Sequence, residues 1–102
     1  MADYSLVFVT PKSEAWIPDY LAAVTPLIQK HGGKYLARTS SHERLEGATT
    51  SPALIVILEW PSREAFQGFY RDPAYQPFLQ ARLAGAENDF FMVEGKDDFA
   101  SS

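Results

Sequence analysis

The segment from Ala53 to Trp60 constrains this chain most. Leu54, Val56, Leu58 and Trp60 form one row of an extended strand. Ala53, Ile55 and Ile57 form the other row, which Glu59 breaks. Side chains alternate across a strand, so both faces are apolar. Such a strand sits inside a sheet and needs cover on both sides. A chain of 102 residues has little material for that cover.

The neighbouring segments complete a pattern. Tyr4 to Thr10 alternates, with Tyr4, Leu6 and Phe8 pointing one way and Val7 and Val9 the other, which predicts a first strand. Pro11 ends it. Ser13 or a neighbour is expected to cap a helix from about Trp16 to His31. Ile17, Tyr20, Leu21, Val24, Leu27, Ile28 and His31 recur at spacings of three and four, which defines one stripe. Pro18 is tolerated in the first turn, whereas Pro26 predicts a kink. Gly32-Gly33 supplies the C-terminal stop.

Lys34 to Ser40 predicts a second strand, with Tyr35 and Ala37 on one face and Leu36 and Arg38 on the other. A bent continuation through His42 to Gly47 is compatible with it, and Ala48 to Pro52 predicts a loop. After Trp60, Ser62 is expected to cap a second helix with the stripe Phe66, Phe69 and Tyr70. Asp72-Pro73 predicts a short successor, with Asp72 as cap and Pro73 at the first helical position. Tyr75, Phe78, Leu79, Arg82 and Leu83 carry its stripe. Phe90 to Glu94 predicts the last strand, closed by Gly95.

The order strand–helix–strand–strand–helix–strand is the ferredoxin-like plan, an α+β fold with a four-stranded antiparallel sheet and two helices on one face. Residues 1–95 are expected to form this single domain, and residues 96–102 to fray. Two helices cover one sheet face only. The other would be an apolar patch large enough to mark an interaction surface. Two copies packing sheet to sheet solve this, so a homodimer, a dimeric α+β barrel, is expected. The alternative is that His42–Gly47 and the C-terminal tail fold over the face of a monomer.

Charge and composition narrow the function classes. The net charge is −4, and the nine basic residues are scattered, so nucleic acid is not an expected partner. Cysteine is absent, which excludes thiolate metal sites, iron–sulfur ligation and cysteine nucleophiles. No metal cluster or cofactor motif is visible. Asp3 and a short apolar run near the N-terminus do not form a signal segment, and no run is long enough for a membrane span, so a cytoplasmic protein is expected.

Few residues could carry chemistry. His31 extends the stripe of the first helix and sits in its last turn, where the dipole favours a protonated imidazole. It is either a helix-end histidine bonded to a nearby carbonyl or carboxylate, or an acid/base at the floor of a pocket between helices and sheet. Tyr35, Arg38, Trp60 and Tyr70 are candidate substrate-binding residues beside it. Arg38 and Glu59 lie on strands, where a charge needs a partner, and an ion pair within the chain or across the dimer would supply one. Trp60 and Tyr70 also suit core or interface anchors.

Several segments together resemble the domain-of-unknown-function 1330 family. They are Lys30-His31-Gly32-Gly33-Lys34-Tyr35-Leu36-Ala37-Arg38, Leu45-Glu46-Gly47, Trp60-Pro61-Ser62-Arg63-Glu64-Ala65, Phe69-Tyr70, Pro73-Ala74-Tyr75 and Val93-Glu94-Gly95. Asp72 stands where the family usually has Ser before Pro73. The resemblance implies a dimeric α+β barrel and no defined reaction. The wider superfamily includes muconolactone isomerases, cofactor-free antibiotic-biosynthesis monooxygenases and haem-degrading proteins. By that analogy the expectation is an apolar helix–sheet cavity for a small carbonyl-containing molecule, with a non-catalytic dimerisation or ligand-sensing module as the alternative.

Overall fold

The computed structural model describes residues 2–48 and 51–100. Thr49 and Thr50 of the expected loop, and Ser101 and Ser102 of the expected tail, lie outside them. Four strands, β1 (Asp3–Pro11), β2 (Lys34–Thr39), β3 (Leu54–Trp60) and β4 (Ala86–Glu94), form one sheet in the order β2-β3-β1-β4. Every neighbouring pair is antiparallel. Three helices accompany it: α1 (Ile17–Lys30), α2 (Arg63–Tyr70) and α3 (Gln76–Gly85). The fold is ferredoxin-like, with the second crossover split into two helices.

The doubly apolar β3 sits inside the sheet, between β2 and β1. The two faces differ in burial. Asp3, Ser5, Val7 and Val9 of β1 are buried beneath the helices, whereas Tyr4, Leu6, Phe8 and Thr10 alternate with them and are only half-buried. Leu6 pairs with Ile57 and Phe91, and Phe8 with Ile55, so these apolar side chains share the face opposite the helices. Phe91 is 55% exposed there. The segment His42–Gly47 forms no strand. Leu45 is 82% and Phe99 97% exposed, so neither lays an apolar side chain over this face.

Under the helices the core falls into two clusters. The larger joins Val24 and Ile28 of α1, Leu58 and Trp60 of β3, Phe66 and Phe69 of α2, Tyr75, and Leu79 of α3. The smaller joins Val7, Val9 and Ala86. Trp60 is fully buried, and its indole N–H donates to the Ser5 hydroxyl at 2.9 Å. Gly32 has a φ of 84°, the left-handed turn that stops α1. Gly33 is required for a different reason: a Cβ there would lie 2.7 Å from the Trp60 ring and 2.6 Å from Ile28.

Local details differ from expectation at three points: the cap of α1, the turn at Asp72-Pro73 and the start of β4. Ser13 does not cap α1. Its N–H and that of Lys12 reach the Gly85 carbonyl, at 3.4 and 2.7 Å, and the helix starts only after Trp16, with no side-chain cap. Helix α1 continues through Pro26 to Lys30. Asp72 and Pro73 open a turn rather than a helix: Asp72 Oδ1 accepts from Ala74 N, its carbonyl accepts from Tyr75 N, and α3 begins at Gln76. Strand β4 begins at Ala86, not Phe90, because Ala86 to Asp89 continue the ladder opposite Phe8 to Pro11. Ser62 caps α2 as expected, accepting from Ala65 N at 3.0 Å.

Candidate functional site

A cavity of about 90 Å³ lies between helices and sheet, walled by residues of both core clusters. Its walls are mostly apolar, including Val7, Val9, Leu54, Val56, Leu58 and Phe90. Its polar side chains come from three directions. Tyr20 descends from α1. Arg82 rises from α3, two helical turns after Tyr75. Tyr35 and Arg38 approach from β2.

Tyr20 and Tyr75 share a hydrogen bond between their hydroxyls at 3.1 Å, and Arg82 Nη2 donates to the Tyr75 hydroxyl at 3.4 Å. Burial pushes the Tyr20 phenol well above its ordinary value of 10.0, and Tyr75 beside it pushes the same way. Tyr20 is therefore a neutral donor at neutral pH, not a base. Arg82 is only 4% exposed. Its guanidinium also lies near the Phe90 ring, 5.7 Å from the centroid, and its Nη1 has no hydrogen-bond partner. The Asn88 amide donates to the Arg82 and Ala86 carbonyls, which secures the end of α3.

The expected alternation in β2 is interrupted. The strand register shifts between Tyr35 and Ala37, so Tyr35 opposes Leu58 and Ala37 opposes Ile57. Leu36 is the extra residue of a β-bulge. The bulge moves Ala37 to the open face and returns Arg38 to the face of Tyr35. This corrects the assignment of Arg38 to the side of Leu36. Arg38 now stacks its guanidinium 4.0 Å from the Tyr35 ring centroid and donates to the Thr25 hydroxyl at 3.2 Å. It is exposed, at the rim of the cavity. Glu59 lies across the sheet and accepts from the Tyr4 hydroxyl at 3.4 Å, so Arg38 and Glu59 form no pair within the chain.

The other named residues lie elsewhere. His31 is not on the cavity wall. Its Nε2 lies 2.9 Å from Asp72 Oδ2, and Lys30 approaches the same oxygen at 3.5 Å. The end of α1 is thereby tied to the α2–α3 turn. Gly68 of α2 makes room, since a Cβ there would lie 3.2 Å from His31 Nδ1. Trp60 belongs to the packed core, and Tyr70 packs against Phe66, Tyr75 and Phe90. Neither lines the cavity. Sequence reasoning placed Arg82 on an apolar stripe but assigned it no role. The signal was there: a cation at the same helical phase as Tyr75, Phe78 and Leu79.

The Asp72 contacts predict a pH effect. The hydrogen bond from His31, then that from Ala74 N–H, hold its carboxyl below the ordinary 3.8. A lowered folded-state pKa contributes stability that is complete above 3.8 and lost as the pH falls through the lowered value. Thermal melts of wild type and Asp72→Asn should therefore differ at pH 6 and converge as the pH falls through that lowered value. A gap that stays constant across this range would remove Asp72 as its source.

The fold and the helix–sheet cavity together define a protein of the ferredoxin-like, α+β-barrel class. Within that class the chain belongs to the DUF1330 family, a domain of unknown function, whose model matches residues 2–96. No curated protein matches it. Among solved structures it is similar to a protein of unknown function from Rhodopseudomonas palustris, with 19% identity, a TM-score of 0.81, and coverage of 94% of this chain and 83% of that one. It is also similar to a dimeric ferredoxin-like protein of unknown function from Jannaschia sp., with 14% identity, a TM-score of 0.73, and coverage of 92% and 99%. A third similar structure is SnoaB, a cofactor-independent oxygenase from Streptomyces nogalater, with 15% identity, a TM-score of 0.67, and 98% of both chains covered. No described helix is long and apolar enough to cross a membrane, and no group of three or more metal-ligating side chains occurs among the described residues.

Proposed function

We propose that this chain is a homodimer that takes a small, mainly apolar, carbonyl-containing molecule into the helix–sheet cavity of each protomer. One observation carries the reading: an apolar cavity on which Tyr20 of α1 converges with Tyr75, at the start of α3, and Arg82, near its end. Ligand sites have this composition, with apolar walls and a few fixed polar groups. The homodimer follows from the uncovered apolar sheet face, and the similarity to a dimeric ferredoxin-like protein supports it.

The polar groups suit one kind of chemistry. A permanent cation and phenolic O–H groups set between helices and sheet stabilise negative charge developing on an oxygen. Isomerisation or cofactor-free oxygenation of a carbonyl compound both pass through such charge. The similarity to SnoaB agrees with this class. A ligand-sensing module without turnover is the second reading. The pairing of His31 with Asp72, away from the cavity wall, favours it, because the expected acid/base is then not beside the ligand.

A cavity block tests the binding. Val56→Trp fills the cavity from β3 while Trp60 and the rest of the core remain. Small ketones and esters screened by ligand-observed NMR should bind wild type and lose binding in Val56→Trp by tenfold or more. Binding that survives the block would place the ligand elsewhere. For the ketone that binds, hydrogen–deuterium exchange beside its carbonyl then separates the two readings. Exchange faster than in buffer supports an enzyme, and exchange at the buffer rate supports a sensor.

A further inference from the structure

We infer that the ligand of this cavity is an anion, a small carboxylic acid with a short apolar tail, whose carboxylate is bound by Arg82. The inference rests on the binding reading above and names the ligand class within it. Its ground is a charge without a counter-charge. A buried guanidinium is costly unless it is paired. Elsewhere among the described residues two partly or fully buried carboxylates are paired, Asp3 with Arg63 at 2.6 Å and Asp72 with His31 and Lys30, while Glu59 accepts from the Tyr4 hydroxyl. The side chains that hydrogen-bond Arg82 are the phenols Tyr75 and Tyr20, and no carboxylate among the described residues pairs with this buried cation.

Charge around the cavity points the same way. The chain carries a net charge of −4, yet the cavity wall holds two arginines and no acidic side chain among the described residues. Arg38 stands at the rim and Arg82 inside. An entering anion meets one cation and is held by the second. The guanidinium is a fork of donors that matches a carboxylate. Nη2 donates to Tyr75, while both N–H groups of Nη1 are buried without an acceptor, which a carboxylate oxygen would supply. One of the Tyr20 and Tyr75 hydroxyls donates to the other, which leaves one phenolic O–H beside it as a further donor.

Size sets the remainder of the ligand. A benzene ring occupies a protein cavity of about 150 Å³. The cavity here is about 90 Å³ and reaches the exposed Arg38, so the ligand is a small molecule with a short tail. Val7, Val9, Leu54 and Val56 give that tail an apolar wall.

The test uses 3-methylbutanoate and its neutral isostere 3-methylbutanamide, titrated into the isotope-labelled full chain at pH 7.5 and followed by ¹H–¹⁵N spectra. The acid should bind at least tenfold tighter than the amide, with shifts at Tyr20, Tyr75 and Arg82. Arg82→Met should erase the preference, Arg82→Lys should keep part of it, and Arg38→Met should keep most of it. Melting curves confirm that each variant is folded, and the acid–amide comparison in wild type depends on no variant. Acid and amide binding equally well would overturn the carboxylate while leaving the binding reading intact. A preference that survives Arg82→Met and disappears in Arg38→Met would overturn Arg82 as the anchor. Neither compound reaching cavity residues would overturn both.

Discussion

Phe91→Asp is expected to turn a dimer into a monomer of 11.4 kDa. The position is 55% exposed on the sheet face that the helices leave open. Leu6 pairs with it on β1, and Ile57 lies beyond on β3. In a lone chain, an aspartate here faces water, and an exposed substitution changes stability by only about 0.5 kcal/mol either way. Between two packed sheets the same carboxylate is buried without a partner, which costs about 3–5 kcal/mol. That cost appears once per protomer, twice per symmetric interface. Sedimentation or light scattering at micromolar concentration would show wild type at twice the monomer mass and the variant at one. A wild-type monomer would sink the dimer outright. A dimeric Phe91→Asp would place the interface elsewhere.

The second large effect belongs to Trp60. Replacing it by Ala should cost about 3–5 kcal/mol, the range for a buried tryptophan or phenylalanine. Trp60 has no exposed surface and packs on Phe66 and Phe69, with ring centroids 5.5 and 5.4 Å away. Gly33 approaches it too closely to have admitted even a methyl group. The void would therefore open at the meeting point of α1, α2 and β3. Domains of this size have a total stability of about 5–15 kcal/mol, so the loss is a large share of it. Each kcal/mol shifts the melting temperature by about 4–8 °C, so a fall of at least about 12 °C is expected. Trp60→Phe keeps a ring and loses the N–H, and should fall between. A Trp60→Ala protein that melts within a few degrees of wild type would show that the core does not depend on this ring.

Much of this was legible in the sequence, for physical reasons that can be named. The two-faced apolarity of Leu54–Trp60 placed β3 inside the sheet and left one face uncovered. Ser62 announced α2, and Gly32-Gly33 the end of α1. The start of β4 was not legible. Glu87, Asn88 and Asp89 have poor strand propensity, and the ladder to β1 overrides it. The bulge at Leu36 was not legible either. No glycine or unusual residue marks it, yet it decides which face Arg38 takes. For His31, the helical phase could not reveal Asp72, which is 41 residues away. For Arg82, the phase was visible and its meaning was not. An arginine on an apolar stripe usually reaches water with its charged end, and only the tertiary structure shows that this one does not.

Ser5 has a consequence beyond its own contacts. It is fully buried on β1, accepts from the Trp60 indole of β3, and donates to the Met92 sulfur of β4 at 2.9 Å. One small hydroxyl thus touches three adjacent strands. If β1 slipped by one residue, Ser5 would turn to the open face and Tyr4 or Leu6 would enter the core. The indole N–H would then be buried with no acceptor, at a cost of about 1–3 kcal/mol. Apolar rows alone penalise such a slip weakly here, because β1 is apolar on both sides. The serine supplies the discrimination they lack: it is a proofreading mark for strand alignment, written in a part of the sheet where hydrophobicity cannot tell inside from out.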